Sequence, residues 1–183
     1  SAAQDTARLD KCVLVEHDGT KVFLNAYNPR LQLIIVGAVH IAQPLAQMAA
    51  MTGYDVTVVD PRAAFAETER FPGITVMSEW PDDALATLAP NARTAIVTLT
   101  HDPKIDDVAL EVALRAPVFY IGALGSRKTH SARLQRLGQA GFSDAELTRI
   151  SGPVGLAIGA KSPAEIAVAV LAQITERLRQ PPS

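Results

Sequence analysis

The chain has 183 residues, 48% of them hydrophobic and 20% charged, with a formal net charge of −2. That balance excludes an intrinsically disordered chain, which is poor in apolar residues, and the length suits about one domain. A single cysteine, Cys12, excludes a disulfide scaffold, and 17 basic against 19 acidic residues lack the excess of a nucleic-acid binder.

A lone thiol fits a reducing compartment. No apolar run approaches the ~18 residues of a membrane span, and Ser1–Asp5 has neither the basic nor the apolar region of a signal peptide. A cytoplasmic protein is expected, with neither membrane nor nucleic acid among its partners. No Cys/His cluster has zinc spacing, so no metal site is expected.

Residues 1–30 read as an N-terminal segment carrying a β-hairpin. Cys12–His17 and Lys21–Leu24 are apolar runs that flank Asp18-Gly19, a two-residue turn signal. Residues 31–183 read as a second domain. Leu31–Val36 is almost wholly apolar, as strands buried on both faces are. A helix is expected over 41–51, a strand over 55–60, a weak strand over 73–76 and a short helix over 82–88. A strand follows over 94–99, then a helix over 106–115 with Val108, Ala109 and Val112 on one side. A strand over 118–121 leads into a basic helix over 127–137. Ser143–Glu146 and Ser162–Glu165 are capping boxes, the second with Pro163 at the first helical position. Ile166, Val170 and Ile174, with Ala167, Leu171 and Leu178 beside them, form a core-facing stripe on the last helix.

Strands and helices alternate five times. This predicts an α/β fold: a doubly wound, mostly parallel, Rossmann-like sheet with helices on both faces, preceded by the hairpin. Ligands of such sheets bind at the carboxyl ends of the strands, where strand order reverses. Four loops therefore matter.

The first loop is Gly37-Ala38-Val39-His40-Ile41-Ala42. Gly37 and Ala42 fit the outer positions of G-x-G-x-x-G/A, but Val39 puts a branched side chain where a glycine lets the backbone approach a pyrophosphate. Asp60, at the end of the second strand, is placed to bond a ribose hydroxyl, with Arg62 beside it. Nucleotide binding and simple close packing of helix on strand both fit this loop. The second loop, Thr98–Pro103, puts Thr100 and His101 at a strand's carboxyl end. His101 is either a ligand-binding or acid–base group or a surface histidine, and Asp102 is read as a helix cap.

The third loop runs from Gly122 through Gly125, Ser126, Arg127 and Lys128 to His130. From Val112 to Ser143 the chain has five bases and no acid. Glycines, a capping serine, unpaired helix N–H groups and two cations make an anion site here. Arg133 and Arg136 read as a solvated basic face. The fourth loop, Gly152–Ala160, is glycine-rich and apolar, with Gly155 and Gly159 suited to backbone contact with another subunit or with a flat ligand. Equally, a tight buried crossover fits it. Cys12 reads as a small buried hydrophobe, and His17 and Trp80 receive no role.

Six stretches carry a resemblance. They are Leu33–Gln43 (LIIVGAVHIAQ), Val58–Arg62 (VVDPR), Glu69–Pro72 (ERFP), Thr98–Pro103 (TLTHDP), Tyr120–Arg133 (YIGALGSRKTHSAR) and Ile150–Ala169 (ISGPVGLAIGAKSPAEIAVA). They resemble the C-terminal domain of the xanthine dehydrogenase accessory (XdhC/CoxI) family over nearly everything after residue 27. The resemblance implies a Rossmann-like domain of an accessory factor for molybdenum hydroxylases. Such a factor binds the molybdenum cofactor, helps protect it while its terminal sulfur is installed, and delivers it to the apo-enzyme. The implied partners are that apo-hydroxylase, a sulfur-donating desulfurase and a separate N-terminal-type domain of the family. The family pattern at the first loop is G-A-G-H, from which Val39 departs. The family's N-terminal cysteine motif has no match, so a fragment or a split version is expected.

The leading expectation is thus a cofactor-handling protein with no catalytic residue, rather than a turnover enzyme. Ser126, Arg127 and nearby N–H groups would hold the cofactor's phosphate, and His101 and the fourth loop would line the pterin. Two alternatives stay open. One is an NAD(P)-binding oxidoreductase or nucleotide sensor, and the other is a structural module that forms a homodimer.

Overall fold

The computed structural model describes residues 6, 12–17 and 19–180. Ser1–Asp5, and Asp18 of the predicted turn, lie outside them. The chain divides into two compact units, Ser1–Arg30 and Leu31–Ser183.

In the first unit β1 (Val13–His17) and β2 (Thr20–Leu24) pair antiparallel, with Val13 opposite Leu24 and His17 opposite Thr20. That register leaves a two-residue connection, and Gly19 takes a φ of 76°, as the favoured hairpin turns require. Cys12 is exposed and its thiol donates to Asn25 Oδ1 at 2.9 Å. The buried thiol expected from composition is therefore corrected: Cys12 precedes β1 at the end of a two-stranded ribbon and is exposed.

The second unit begins with β3 (Gln32–Val36), α1 (Ala42–Met51), β4 (Asp55–Val59), β5 (Thr75–Met77), α2 (Pro81–Leu88) and β6 (Thr94–Thr98). It continues with α3 (Pro103–Arg115), β7 (Tyr120–Ala123), α4 (Arg127–Gln139), α5 (Asp144–Leu147), β8 (Ile150–Ser151) and α6 (Pro163–Arg179). The six strands lie in the order β5-β4-β3-β6-β7-β8, and every neighbouring pair is parallel. This is the Rossmann order, with the reversal between β3 and β6. The predicted fold class is borne out.

Alternate strand residues feed two separate cores. Leu33, Ile35 and Val97 pack with Leu45, Ala49, Val170 and Ile174 of α1 and α6. Ile34, Val36 and Ile96 pack with Leu85 of α2, Ala109 and Leu110 of α3 and Leu137 of α4. Each such fully buried Leu or Ile contributes roughly 1.5–3 kcal/mol of transfer free energy. No helix among the described residues is long and apolar enough to cross a membrane.

Two local expectations are corrected. α3 starts at Pro103 rather than 106, because the Asp102 carboxylate accepts from the Lys104 N–H at 3.0 Å and Pro103 takes the first helical position. Its core stripe is Ile105, Ala109, Leu110, Ala113 and Leu114, with Val108 and Val112 only half-buried. The basic face on α4 is also different from the expectation. Arg133 is only 2% exposed, and Arg136 grips Asp107 with Nε at 2.6 Å and Nη2 at 3.1 Å. The acids that this part of the sequence lacks are supplied by α3, which packs beside α4.

Candidate functional site

The carboxyl ends of β3 and β6 carry the first and second loops. Gly37 leaves β3 at a φ of 109°, and its N–H donates to Val59 O at 2.8 Å. A Cβ on Gly37 would stand 2.6 Å from Thr100 Cγ2, so the two loops touch at this point. The next amide, Ala38 N–H, donates to Asp60 Oδ2 at 2.8 Å.

Asp60 is fully buried. Its Oδ1 also accepts from the Arg62 backbone N–H at 3.0 Å and Nε at 2.9 Å, and its Oδ2 accepts from Arg62 Nη2 at 2.7 Å. Burial alone would raise the Asp60 pKa, but the bonds from Arg62 and Ala38 outweigh it and hold the carboxyl below its ordinary value. Arg62 in turn stacks on the Phe65 ring at 4.2 Å. Both oxygens of Asp60, the residue expected to meet a ribose, thus accept from donors of the chain itself, Arg62 and Ala38.

The second loop is held in the same way by a residue the sequence reading missed. Asp106 of α3, 1% exposed, accepts from Thr100 Oγ1 at 2.7 Å and Thr100 N–H at 3.2 Å through Oδ1. Its Oδ2 accepts from His101 N–H at 3.1 Å. Burial outweighs these bonds and the Arg133 charge, and raises the Asp106 pKa. The bracket holds His101 in the left-handed region, at a φ of 65°, where a residue other than glycine is uncommon. His101 itself is exposed.

These loops line a cavity of about 240 Å³. Val39, Ile41, Leu99 and Leu124 give it apolar walls, His40, Thr100 and His101 give it polar groups, and Pro163 closes one side. Val39 thus faces ligand space with a branched apolar side chain, where a dinucleotide site would offer bare backbone.

The third and fourth loops meet at Gly122, where a Cβ would stand 2.6 Å from Val154 Cγ2. Ser126 Oγ accepts from Thr129 N–H at 3.1 Å and lies 2.9 Å from Thr129 Oγ1. It caps α4, and the cap leaves Arg127 and Lys128 exposed. In the fourth loop Gly155 N–H donates to Gln173 Oε1 at 2.8 Å, the same oxygen that takes the Tyr120 hydroxyl at 2.6 Å. Leu124, Arg127, Val154, Gly155, Leu156 and Gly159 are among the residues around a second cavity of about 350 Å³.

The structure therefore gathers Val39, His40, Thr100 and His101 around one cavity and Arg127, Gly155 and Gly159 around the other. Leu124, which the sequence reading passed over, is the wall they share. Gly37, Ala38, Asp60, Arg62 and Gly122 are not among the residues that line either cavity. Gly125 and Ser126 shape the start of α4, and Lys128 lines neither cavity. A larger cavity of about 670 Å³ lies between α4 and α5, and takes from the four loops only His130. It takes no residue from the loops after β3 and β6, whereas the cavity of about 240 Å³ lies between them and the cavity of about 350 Å³ adjoins that one through Leu124, so the smaller pair is the better candidate by position.

A parallel sheet in this order, with a cavity between the loops that follow β3 and β6 at the reversal of strand order, defines a Rossmann-type domain. Residues 33–174 match the XdhC Rossmann domain, and the chain belongs to that family. It is 36% identical over 155 residues to the molybdenum cofactor insertion chaperone PaoD of Escherichia coli (strain K12), covering 84% of this chain and 42% of PaoD. It is 33% identical over 158 residues to a probable xanthine dehydrogenase component of Bacillus subtilis (strain 168), covering 86% of this chain and 46% of that protein. The crystal structure of a xanthine dehydrogenase from Bacillus halodurans superposes with a TM-score of 0.72 at 31% identity, covering 86% of this chain and 45% of that one. The chain spans less than half the length of these relatives.

Proposed function

We propose that this domain handles the molybdenum cofactor during maturation of a molybdenum hydroxylase of the xanthine dehydrogenase type. It holds the cofactor as cargo and passes it to the apo-enzyme. The observation that carries this reading is the pair of cavities that share Leu124, apolar along their walls, with Arg127 on one and the imidazoles of His40 and His101 on the other. Molybdopterin has a largely flat pterin body and an anionic phosphate at one end. Apolar walls and the bare backbone of Gly155 and Gly159 suit the flat body. Arg127, at the N-terminus of α4, suits the phosphate through its charge and the helix dipole. Ser126 supports that end as the cap of the helix rather than as a direct ligand. Similarity to an insertion chaperone supports the same reading.

The partners follow from the role: the apo-hydroxylase, a desulfurase that supplies the terminal sulfur, and a family N-terminal-type domain, with self-association of the chain a further arrangement. A nucleotide reading has less support, because Val39 lines the first cavity with a branched side chain and Asp60 accepts from Arg62 and Ala38. The test is reconstitution. Cofactor-loaded protein mixed with apo-hydroxylase should restore activity faster than the same amount of free cofactor, and Arg127→Ala should abolish the advantage. Equal rates with and without the protein would remove the reading.

A further inference from the structure

One buried ion pair ties the second and third loops together. Arg133 lies on the second turn of α4 and sends its side chain back toward the start of its own helix, as helical geometry favours. Its Nη2 donates to Leu124 O at 2.9 Å and lies 3.5 Å from Asp106 Oδ2. Asp106 holds Thr100 through its hydroxyl and N–H, and His101 through its N–H. The contacts therefore run from Leu124, the wall common to both cavities, through Arg133 and Asp106 to two residues that line the first cavity.

Stability does not account for this pair. Nε and Nη1 of Arg133 are buried with no hydrogen-bond partner among the described residues. Burial lowers the Arg133 pKa and raises that of Asp106, so both charges are held against a desolvation penalty. Apolar side chains of similar volume can often replace a buried ion pair without loss of stability. What apolar side chains could not do is grip backbone groups of two loops at once.

We propose that Arg133 is a positioning residue for the cleft: it fixes the Leu124 carbonyl directly and the Thr100–His101 backbone through Asp106, so that both cavities keep one shape for a ligand that spans them. The inference rests on the cofactor reading only for the identity of that ligand.

Arg133→Met alone leaves Asp106 buried without its cation and would loosen the fold. The decisive variant is the double substitution Asp106→Asn with Arg133→Met, measured beside Asp106→Asn alone so that the part owed to Arg133 is separated from the bonds that Asp106 itself gives the loops. Because Asp106→Asn also weakens the bonds accepted from Thr100 and His101, the melting temperature of the double variant should fall, but no further than that of Asp106→Asn alone, which leaves Arg133 buried without its anion. The amides of His101 and Gly125 should shift in the nuclear magnetic resonance spectrum and exchange at least about tenfold faster, while those of Ile34 and Ile96 are unchanged. Affinity for isolated molybdenum cofactor should fall by about tenfold or more. Unchanged loop amides, or loosened loops with unchanged cofactor affinity, would overturn the proposal. Faster exchange that spreads evenly through the sheet would reduce the pair to a structural role and overturn it too. If the wild type does not bind the cofactor, the functional reading fails, and the amide data alone decide whether Arg133 positions the loops.

Discussion

Arg62 lies across the Asp60 carboxylate, with Nε 2.9 Å from Oδ1 and Nη2 2.7 Å from Oδ2, and the carboxylate in turn holds the amide of Ala38. An acid that would meet a ribose in a dinucleotide site is used here to brace the loop from within. Asp106 braces the neighbouring loop by the same device, accepting from Thr100 and His101. Two buried carboxylates thus set the backbone on either side of the strand reversal.

Asp60→Asn should destabilise the domain by about 1–3 kcal/mol, the usual range for a lost hydrogen bond to a charged partner. The pH dependence carries a definite sign. The folded pKa of Asp60 is depressed, so its contribution is present above the ordinary aspartate value of about 3.9 and is lost as pH falls through the folded value. Urea midpoints followed downward from about pH 5 should therefore drop less in Asp60→Asn than in the wild type. A parallel drop in both proteins would contradict the assignment.

Val39→Gly should not create a dinucleotide site. The substitution removes the branched side chain, yet Asp60 stays occupied by Ala38 and Arg62. Titration with NAD should show no binding tighter than about millimolar for either protein. Micromolar affinity in Val39→Gly would mean that the Asp60–Arg62 pair opens readily.

Gly37→Ala should disturb both loops at once. The new Cβ would meet Thr100 Cγ2 at 2.6 Å, and the φ of 109° is unfavourable for alanine. A loss of about 1–3 kcal/mol is expected, the range for a residue forced into sparsely populated backbone space. Differential scanning calorimetry checks it, and an unchanged melting temperature would show that the loops can separate at little cost.

His130 should make stability fall on the acid side of neutrality. Its Nδ1 is buried without a partner among the described residues, and the ring packs against Gly152. Burial, then the Arg133 charge, lowers its pKa. Below about 6.5 the unfolded chain takes up the proton first, so stability is lost as pH falls toward the folded value. His130→Gln should flatten that slope in denaturation midpoints measured from about pH 7 down to about pH 5. An unchanged slope would assign it to another group.

Much of the fold was legible because the signals are local. Apolar runs such as Leu31–Val36 and Thr94–Leu99 mark buried parallel strands, and Asp102, Ser126, Ser143 and Ser162 each cap the helix that their spacing implies. β8 escaped notice because two residues carry no periodicity. The bracing of the site was illegible for a different reason. Asp60 meets Ala38 and Asp106 meets Arg133 only after strands and helices dock, and nothing local distinguishes these acids from solvated ones. The left-handed His101 has no glycine to announce it. The loops themselves were found, since strand ends and glycines mark them, but which of their residues face the cavities depends on packing across β7, α4 and α6.

The most direct test is calorimetric titration of the protein with isolated molybdenum cofactor, with Arg127→Ala and Lys128→Ala in parallel. The account predicts saturable binding by the wild type, a loss of about tenfold or more in Arg127→Ala, and little change in Lys128→Ala, since Arg127 lines the second cavity and Lys128 lines neither of the pair. Absence of binding, or binding that Arg127→Ala leaves intact, would contradict it.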